Sequence, residues 1–267
     1  MSIIVKELIS TLPGIELLPD DTVDGYIYGS PETLLTGVAV TFLATLEHCY
    51  QARQYNCNLI ISHEGIWYNH REQDVSSIHH ASYDSVYSKK NRFIKDHNLI
   101  IYRYHDSIHR ALPDRITTGL IKALDWELRE IVQFPAYSIL ELDATLGSVL
   151  EHIKRALGLP WIRYIGMKEQ SIHRVIVAVG YRGSGSLLLP TIAKENIDLV
   201  IFGEGPEWEI PEYCRDSYFL DQNKALIILG HGVSESHGMQ LLADELGSRF
   251  QNIPIHYFPF QNPFNIG

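Results

Sequence analysis

The segment that most constrains the fold is Ala225-Leu-Ile-Ile-Leu-Gly-His-Gly-Val-Ser-Glu235. Its apolar run, Leu226 to Leu229, has the length of a buried strand. Gly230 and Gly232 break the run. The amphipathic stretch from Met239 reads as a helix, with Ser234 as its expected N-cap. Strand, turn and helix in succession place His231 at the carboxyl end of a strand, where open α/β sheets carry their ligands. Glu235 follows His231 by about one helical turn, so imidazole and carboxylate can reach one point. Two readings stay open for the pair: a metal site, or a solvated polar loop ahead of a surface helix.

The same order recurs upstream. Thr36–Thr45 and Cys57–Ser62 read as strands and Leu46–Tyr55 as a helix between them, which makes a βαβ unit with a parallel pair. The second strand runs into His63-Glu64. Adjacent side chains point in different directions, so this pair suits two metals or a metal and a proton relay; the alternative is a cap, with His63 bonded to backbone. Asn98–Tyr102 reads as a strand before His105 and His109. Three buried strands thus end in ligand-type residues, and if they share one sheet edge five donors converge there. His79-His80 lies in a long polar stretch away from any strand end and reads as surface.

The rest of the chain alternates in the same way. Ile3–Leu12 reads as a first helix, Asp24–Gly29 as a strand, and Val86 to Ile94 as a helix with one apolar side. A lobe boundary is expected between Asp125 and Pro135. Beyond it come strands at Tyr137–Asp143, Pro160–Ile165, Arg174–Gly180 and Ile197–Phe202, an amphipathic helix at Thr145–Leu157, a helix at Glu207–Tyr218 and a last strand at Pro254–Phe258. The uninterrupted β-branched run of Arg174–Gly180 marks a central strand. The turn Gly183-Ser184-Gly185-Ser186 behind it offers helix N-terminal amides to an anion such as a substrate phosphate; a tight βα turn without a ligand is the other reading. It lacks the spacing of a P-loop. Glu204 either reaches a ligand or caps the following helix.

Composition bounds the function. With 267 residues and 45% apolar residues the chain builds a substantial core. A net charge of −10 disfavours nucleic acid and anionic lipid as nonspecific partners. Three cysteines without a CxxC pair fit a reducing cytoplasm. No signal peptide precedes the first helix, and no apolar run is long enough to span a membrane.

The ordered set His63-Glu64, His105-Asp-Ser-Ile-His109 with Pro113, Arg182-Gly-Ser-Gly-Ser186, Gly203-Glu204 and Gly230-His231-Gly-Val-Ser234-Glu235 resembles the motifs of the NIF3 (DUF34) family. Asp24-Gly-Tyr-Ile-Tyr-Gly29 resembles that family's N-terminal entry. The resemblance runs from about residue 3 to Pro263. It implies a two-lobed α/β fold with mixed, largely parallel sheets flanked by helices, in one module over 1–267 with lobes near 1–128 and 129–267 and a metal site in the cleft between the lobes. It also implies two divalent ions per chain (Zn, Fe, Mn or Ni), a homohexamer, a small-molecule ligand and a metal-dependent hydrolase. The family's frequent label, GTP cyclohydrolase 1 type 2 homolog, is implied on the same ground. Two positions depart from the family pattern: Glu64 stands where the family has a second histidine, and His109 where it has an aspartate. Histidine and carboxylate have traded places, so three imidazoles and two carboxylates remain. The implied ligands are His63, Glu64, His109, His231 and Glu235, with Glu235 as bridge and catalytic carboxylate. His105 is either a catalytic proton relay or a buried histidine bonded to backbone.

Overall fold

The computed structural model describes residues 3–71 and 84–265, so His79-His80 lies outside the described residues. The chain forms two compact units, residues 1–115 with 239–261 and residues 116–238 with 262–267. The division falls at the start of the helix Arg115–Ala123 rather than at 128/129, and a C-terminal segment returns to the first unit. Eleven strands among the described residues are numbered here in chain order.

The first unit holds β1 (Gly25–Tyr28), β2 (Val38–Leu43), β3 (Leu59–Glu64), β4 (Ile100–Arg103) and β11 (Ile255–Phe258). Their order in the sheet is β1-β4-β3-β2-β11. β11, β2, β3 and β4 run parallel, and β1 runs antiparallel on β4. Val38, Val40, Leu59 and Ile61 have no exposed surface, which is why these strands read as continuous apolar runs rather than alternating ones. The crossover helix Leu46–Gln54 starts where the Thr45 hydroxyl accepts the His48 amide at 3.1 Å. The helix Ser85–Asp96 starts where Asp84 accepts the amides of Val86 and Tyr87. Ala52 and Ile94 from these helices pack with Ile60, Ile101 and Phe258 into one core.

The second unit holds β5 (Glu130–Gln133), β6 (Ser138–Thr145), β7 (Arg163–Ile165), β8 (Ser171–Ala178), β9 (Leu199–Phe202) and β10 (Ala225–Ile228). The sheet order is β5-β6-β8-β9-β10-β7, with β8, β9 and β10 parallel and β8 in the interior. Leu188 and Ile192 of the helix Gly185–Lys194 and Ile210 and Cys214 of the helix Ile210–Phe219 close its core over Ile176, Val200 and Leu226. No helix among the described residues is long and apolar enough to cross a membrane.

Three sequence expectations change. The strand expected to stop at Ser62 continues through Glu64, so His63 and Glu64 project to opposite faces of β3. The helix expected from Met239 runs over His231–Arg249, so Ser234 lies in its first turn and is not its N-cap. The three strands that end in ligand-type residues do not share one sheet: β3 and β4 belong to the first, β10 to the second.

Candidate metal centre

In the first unit, parallel pairing of β3 and β4 sets their carboxyl ends side by side, with Ser62 opposite Arg103. His63 and Glu64 close β3, and the helix Asp106–Arg110 opens two residues after β4 ends. Asp24 anchors that helix: one carboxylate oxygen accepts the amides of His105 and Asp106 at 2.7 Å each. The other accepts the Ser107 amide at 2.9 Å and its hydroxyl at 2.6 Å. This short stretch therefore holds His105 and His109 at defined positions beside β3.

Each histidine has its Nδ1 turned toward an oxygen acceptor. His63 Nδ1 lies 3.1 Å from the Tyr104 carbonyl, which can only accept, so Nδ1 is the donor there and Nε2 is the nitrogen a metal would take. His109 Nδ1 lies 3.2 Å from both oxygens of buried Asp114. His105 Nδ1 lies 2.9 Å from Asp106 Oδ1, while Thr22 Oγ1 and the Val23 amide hold the other oxygen of Asp106 at 2.9 and 3.1 Å. Such acceptors fix the tautomer and orientation of metal-binding imidazoles. The rings lie 4.6 Å (His63 and His105), 5.1 Å (His63 and His109) and 5.3 Å (His105 and His109) apart by centroid. One ligand atom from each falls within 4.8 Å of the others. Three imidazole donors at this spacing suit a zinc-type divalent cation.

Charge accounting points the same way. Burial, reinforced by the neighbouring His63 and His109, holds His105 down to about 4 against the pull of Asp106. Its ring is neutral near pH 7 and carries one N–H. That hydrogen faces Asp106, while Nε2 lies 3.5 Å from Glu64 Oε1, an acceptor facing an acceptor. A cation held by the three imidazoles would relieve this repulsion without needing Glu64 as a ligand. Asp106 is held far below the ordinary carboxylate range, first by its hydrogen bond from His105 and then by those from Val23 and Thr22.

In the second unit the parallel strands β8, β9 and β10 are followed, two or three residues on, by Gly180, Glu204 and His231. The turns are tied together by the Glu204 amide on the Gly180 carbonyl at 2.8 Å and the Gly230 amide on the Gly203 carbonyl at 2.9 Å. His231 sits between two carboxylates, with Nδ1 3.1 Å from Glu204 Oε2 and Nε2 3.1 Å from Glu235 Oε2. A neutral imidazole donates to only one of them; a second proton or a cation must serve the other. Glu235 is buried, whereas the Glu204 side chain is half exposed. Gly180 (φ +61°) makes room for this carboxylate, since a Cβ there would stand 2.1 Å from Glu235 Oε1. The Ser234 hydroxyl accepts the Gly180 amide at 2.9 Å and donates to the His231 carbonyl at 2.8 Å.

The turn Gly183 to Ser186 opens the helix Gly185–Lys194, as expected, but its Gly185 amide already donates to Glu209 Oε2 at 2.5 Å. One of the amides considered for a substrate phosphate therefore already has a carboxylate partner within the chain.

The first unit thus gathers His63, Glu64, His105 and His109, and the second gathers His231 and Glu235 with Glu204. His105 stands among the imidazole donors rather than behind them. Arg103, His70 and Asp114 had no place among the expected site residues, and Asp24 entered only as part of the N-terminal motif. His70 offers a ligand atom within 4.8 Å of those of Glu64 and His105. For Arg103 the usable signal was position, since it closes the strand that His105 follows.

Comparison with known proteins matches residues 5–263 to the model of the Duf34/NIF3 (NGG1p interacting factor 3) family. The chain is 22% identical to the GTP cyclohydrolase 1 type 2 homolog of Clostridium acetobutylicum, over 96% of this chain and 94% of that one. It is 23% identical to the protein of the same name from Chlamydia pneumoniae, over 97% and 99%. A Bacillus cereus protein described as related to NIF3 has the same fold, with a TM-score of 0.74 at 15% identity, covering 100% of this chain and 99% of that one.

Proposed function

The chain belongs to the Duf34/NIF3 family, and we propose that it is a metal-dependent hydrolase of a small molecule. The observation that carries this reading is the trio His63, His105 and His109, each with Nδ1 turned to an oxygen acceptor and with ligand atoms within 4.8 Å of one another. A bound divalent ion would supply a Lewis acid and lower the pKa of water at neutral pH. Around it, Tyr104, Asp106 and Asp114 orient the imidazoles, and Asp24 holds the segment that carries two of them. His231 and Glu235 are the donors of the second unit, and buried Glu235 is the carboxylate assigned to proton transfer. Two ions per chain complete the proposal, with His63, Glu64, His109, His231 and Glu235 as the sequence-derived ligand set and His105 added to it.

The two curated relatives carry a GTP cyclohydrolase label, but no residue described above recognises a purine, so the substrate class is left to assay. Metal analysis of protein purified without chelator, combined with a screen of phosphoesters, nucleotides and cyclic amides, tests the proposal. About two zinc-type ions per chain and a metal-dependent turnover are expected. A metal-free wild type indistinguishable from the variant His231→Ala, Glu235→Ala would sink it. A cytoplasmic homohexamer belongs to the same proposal, and light scattering measures its mass.

A further inference from the structure

Arg103 is the last residue of β4 and is 1% exposed. A buried guanidinium is always charged and must be compensated. Its Nη2 donates to Glu64 Oε2 at 3.0 Å, its Nε to the His63 carbonyl at 3.4 Å and its Nη1 to the His70 carbonyl, and Nη2 lies 3.2 Å from His70 Nδ1. Glu64 offers an oxygen within 4.8 Å of a ring nitrogen of His63 and within 4.8 Å of one of His105. The carboxylate that stands where the family has a histidine is therefore bound to a fixed internal cation before any metal arrives.

We infer that Arg103 is a positioning residue that neutralises Glu64, so that the first unit takes a single divalent cation of the imidazole-preferring class on His63, His105 and His109, with Glu64 outside its coordination shell. This inference rests on the metal reading above and revises it at one residue, taking Glu64 out of the sequence-derived ligand set, and it adds the charge balance of the site. The donors that remain are three imidazole nitrogens, which favour Zn²⁺, Co²⁺ or Ni²⁺. Mg²⁺ and Ca²⁺ prefer oxygen ligands, and Oε2 of the Glu64 carboxylate is already paired with the guanidinium. A second dication beside Glu64 would face the positive charge of Arg103 directly.

Charge compensation predicts a thermodynamic cycle of unusual sign. The full chain carrying His231→Ala and Glu235→Ala isolates the first unit, and Co²⁺ binding is followed by its visible absorption and by calorimetry. One Co²⁺ per chain is expected, with Mg²⁺ failing to compete. Arg103→Gln leaves Glu64 uncompensated and tightens Co²⁺ by about tenfold or more, whereas Glu64→Gln leaves Arg103 uncompensated and weakens it by a comparable factor. The double variant removes both charges and returns to within about threefold of the starting protein, since coupled effects of this kind cancel in the pair. A double variant as weak as Glu64→Gln, or an Arg103→Gln that binds more weakly, overturns the inference. The Co²⁺ spectrum of Glu64→Gln is a second measurement that needs no change at Arg103. Its bands keep their positions if Glu64 is outside the coordination shell, and a shifted spectrum overturns the inference. Absence of any Co²⁺ binding in this background is a different failure, that of the metal reading itself.

Discussion

Asp24 shows how much of the centre depends on residues that bear no metal chemistry of their own. Its two oxygens accept four hydrogen bonds from His105, Asp106 and Ser107, so a single carboxylate sets the start of the segment that presents two imidazoles. Asp24→Ala should lower stability by about 2 kcal/mol or more, the scale of a lost helix cap with charge-assisted bonds. It should also weaken metal binding at His105 and His109 by about tenfold or more; urea unfolding and a metal titration read the two effects. Gly180 is the counterpart in the second unit. Its φ of +61° strains any other residue, and the added Cβ would press within 2.1 Å of Glu235 Oε1. Gly180→Ala is therefore expected to cost about 1–3 kcal/mol and to move the one buried carboxylate beside His231. An Ala variant with wild-type stability would show that this carboxylate has room to shift. Neither residue announced its role in the sequence, because both act through backbone geometry that appears only once the strands are paired.

Elements were legible where one local signal decided them. β9 and the Val38–Val40, Leu59–Ile61 and Val175–Ala178 parts of β2, β3 and β8 are continuous apolar runs because both faces are covered, and the helix Leu146–Leu157 carries its start and stop in Thr145 and Gly158. Thr145 and Ser148 form a reciprocal capping box there, and Gly158 adopts φ 64°. Thr145→Ala should cost about 1 kcal/mol, seen as a lower denaturant midpoint with an unchanged slope; a larger loss would mean that the hydroxyl supports more than this helix. The helix His231–Arg249 was legible only from Met239 onward. Its first turns, His-Gly-Val-Ser-Glu-Ser, are poor helix formers, but Val233, Ser234, Glu235 and Ser236 are buried, and tertiary contact overrides propensity. The histidine-bearing strand ends were correctly marked, but which sheet each strand joins depends on pairings between distant segments that local patterns do not encode.

At the scale of the whole molecule, two separate cores explain both what the sequence revealed and what it concealed. The change of pattern near residue 125 is visible because a second set of strands begins there. The return of residues 255–258 to pair with β2 is invisible, because a four-residue strand carries no mark of its partner. The cores also bury every cysteine. Burial pushes Cys49 and Cys57 up to about 11 and Cys214 up to about 12. A thiol whose folded pKa is raised contributes stability that is intact below the unfolded value near 9 and is lost as the pH climbs from there toward 11 to 12. Native protein at pH 8 should therefore resist a thiol-specific disulfide reagent until denaturant is added, and its stability should fall above about pH 9; rapid labelling of native protein would contradict the burial. The sharper test of two cores is a matched pair of truncations. Phe258 on β11 is 4% exposed and belongs to the first core, and Phe202 on β9 is 1% exposed and belongs to the second. Phe→Ala at such sites costs about 3–5 kcal/mol. If each unit owns its core, Phe258→Ala should speed amide exchange in β2, β3 and β4 and spare β8, β9 and β10, while Phe202→Ala should do the reverse. Equal loss of protection in both sheets from either substitution would mean that the units unfold as one cooperative body, and that the returning strand couples the two cores instead of completing one of them.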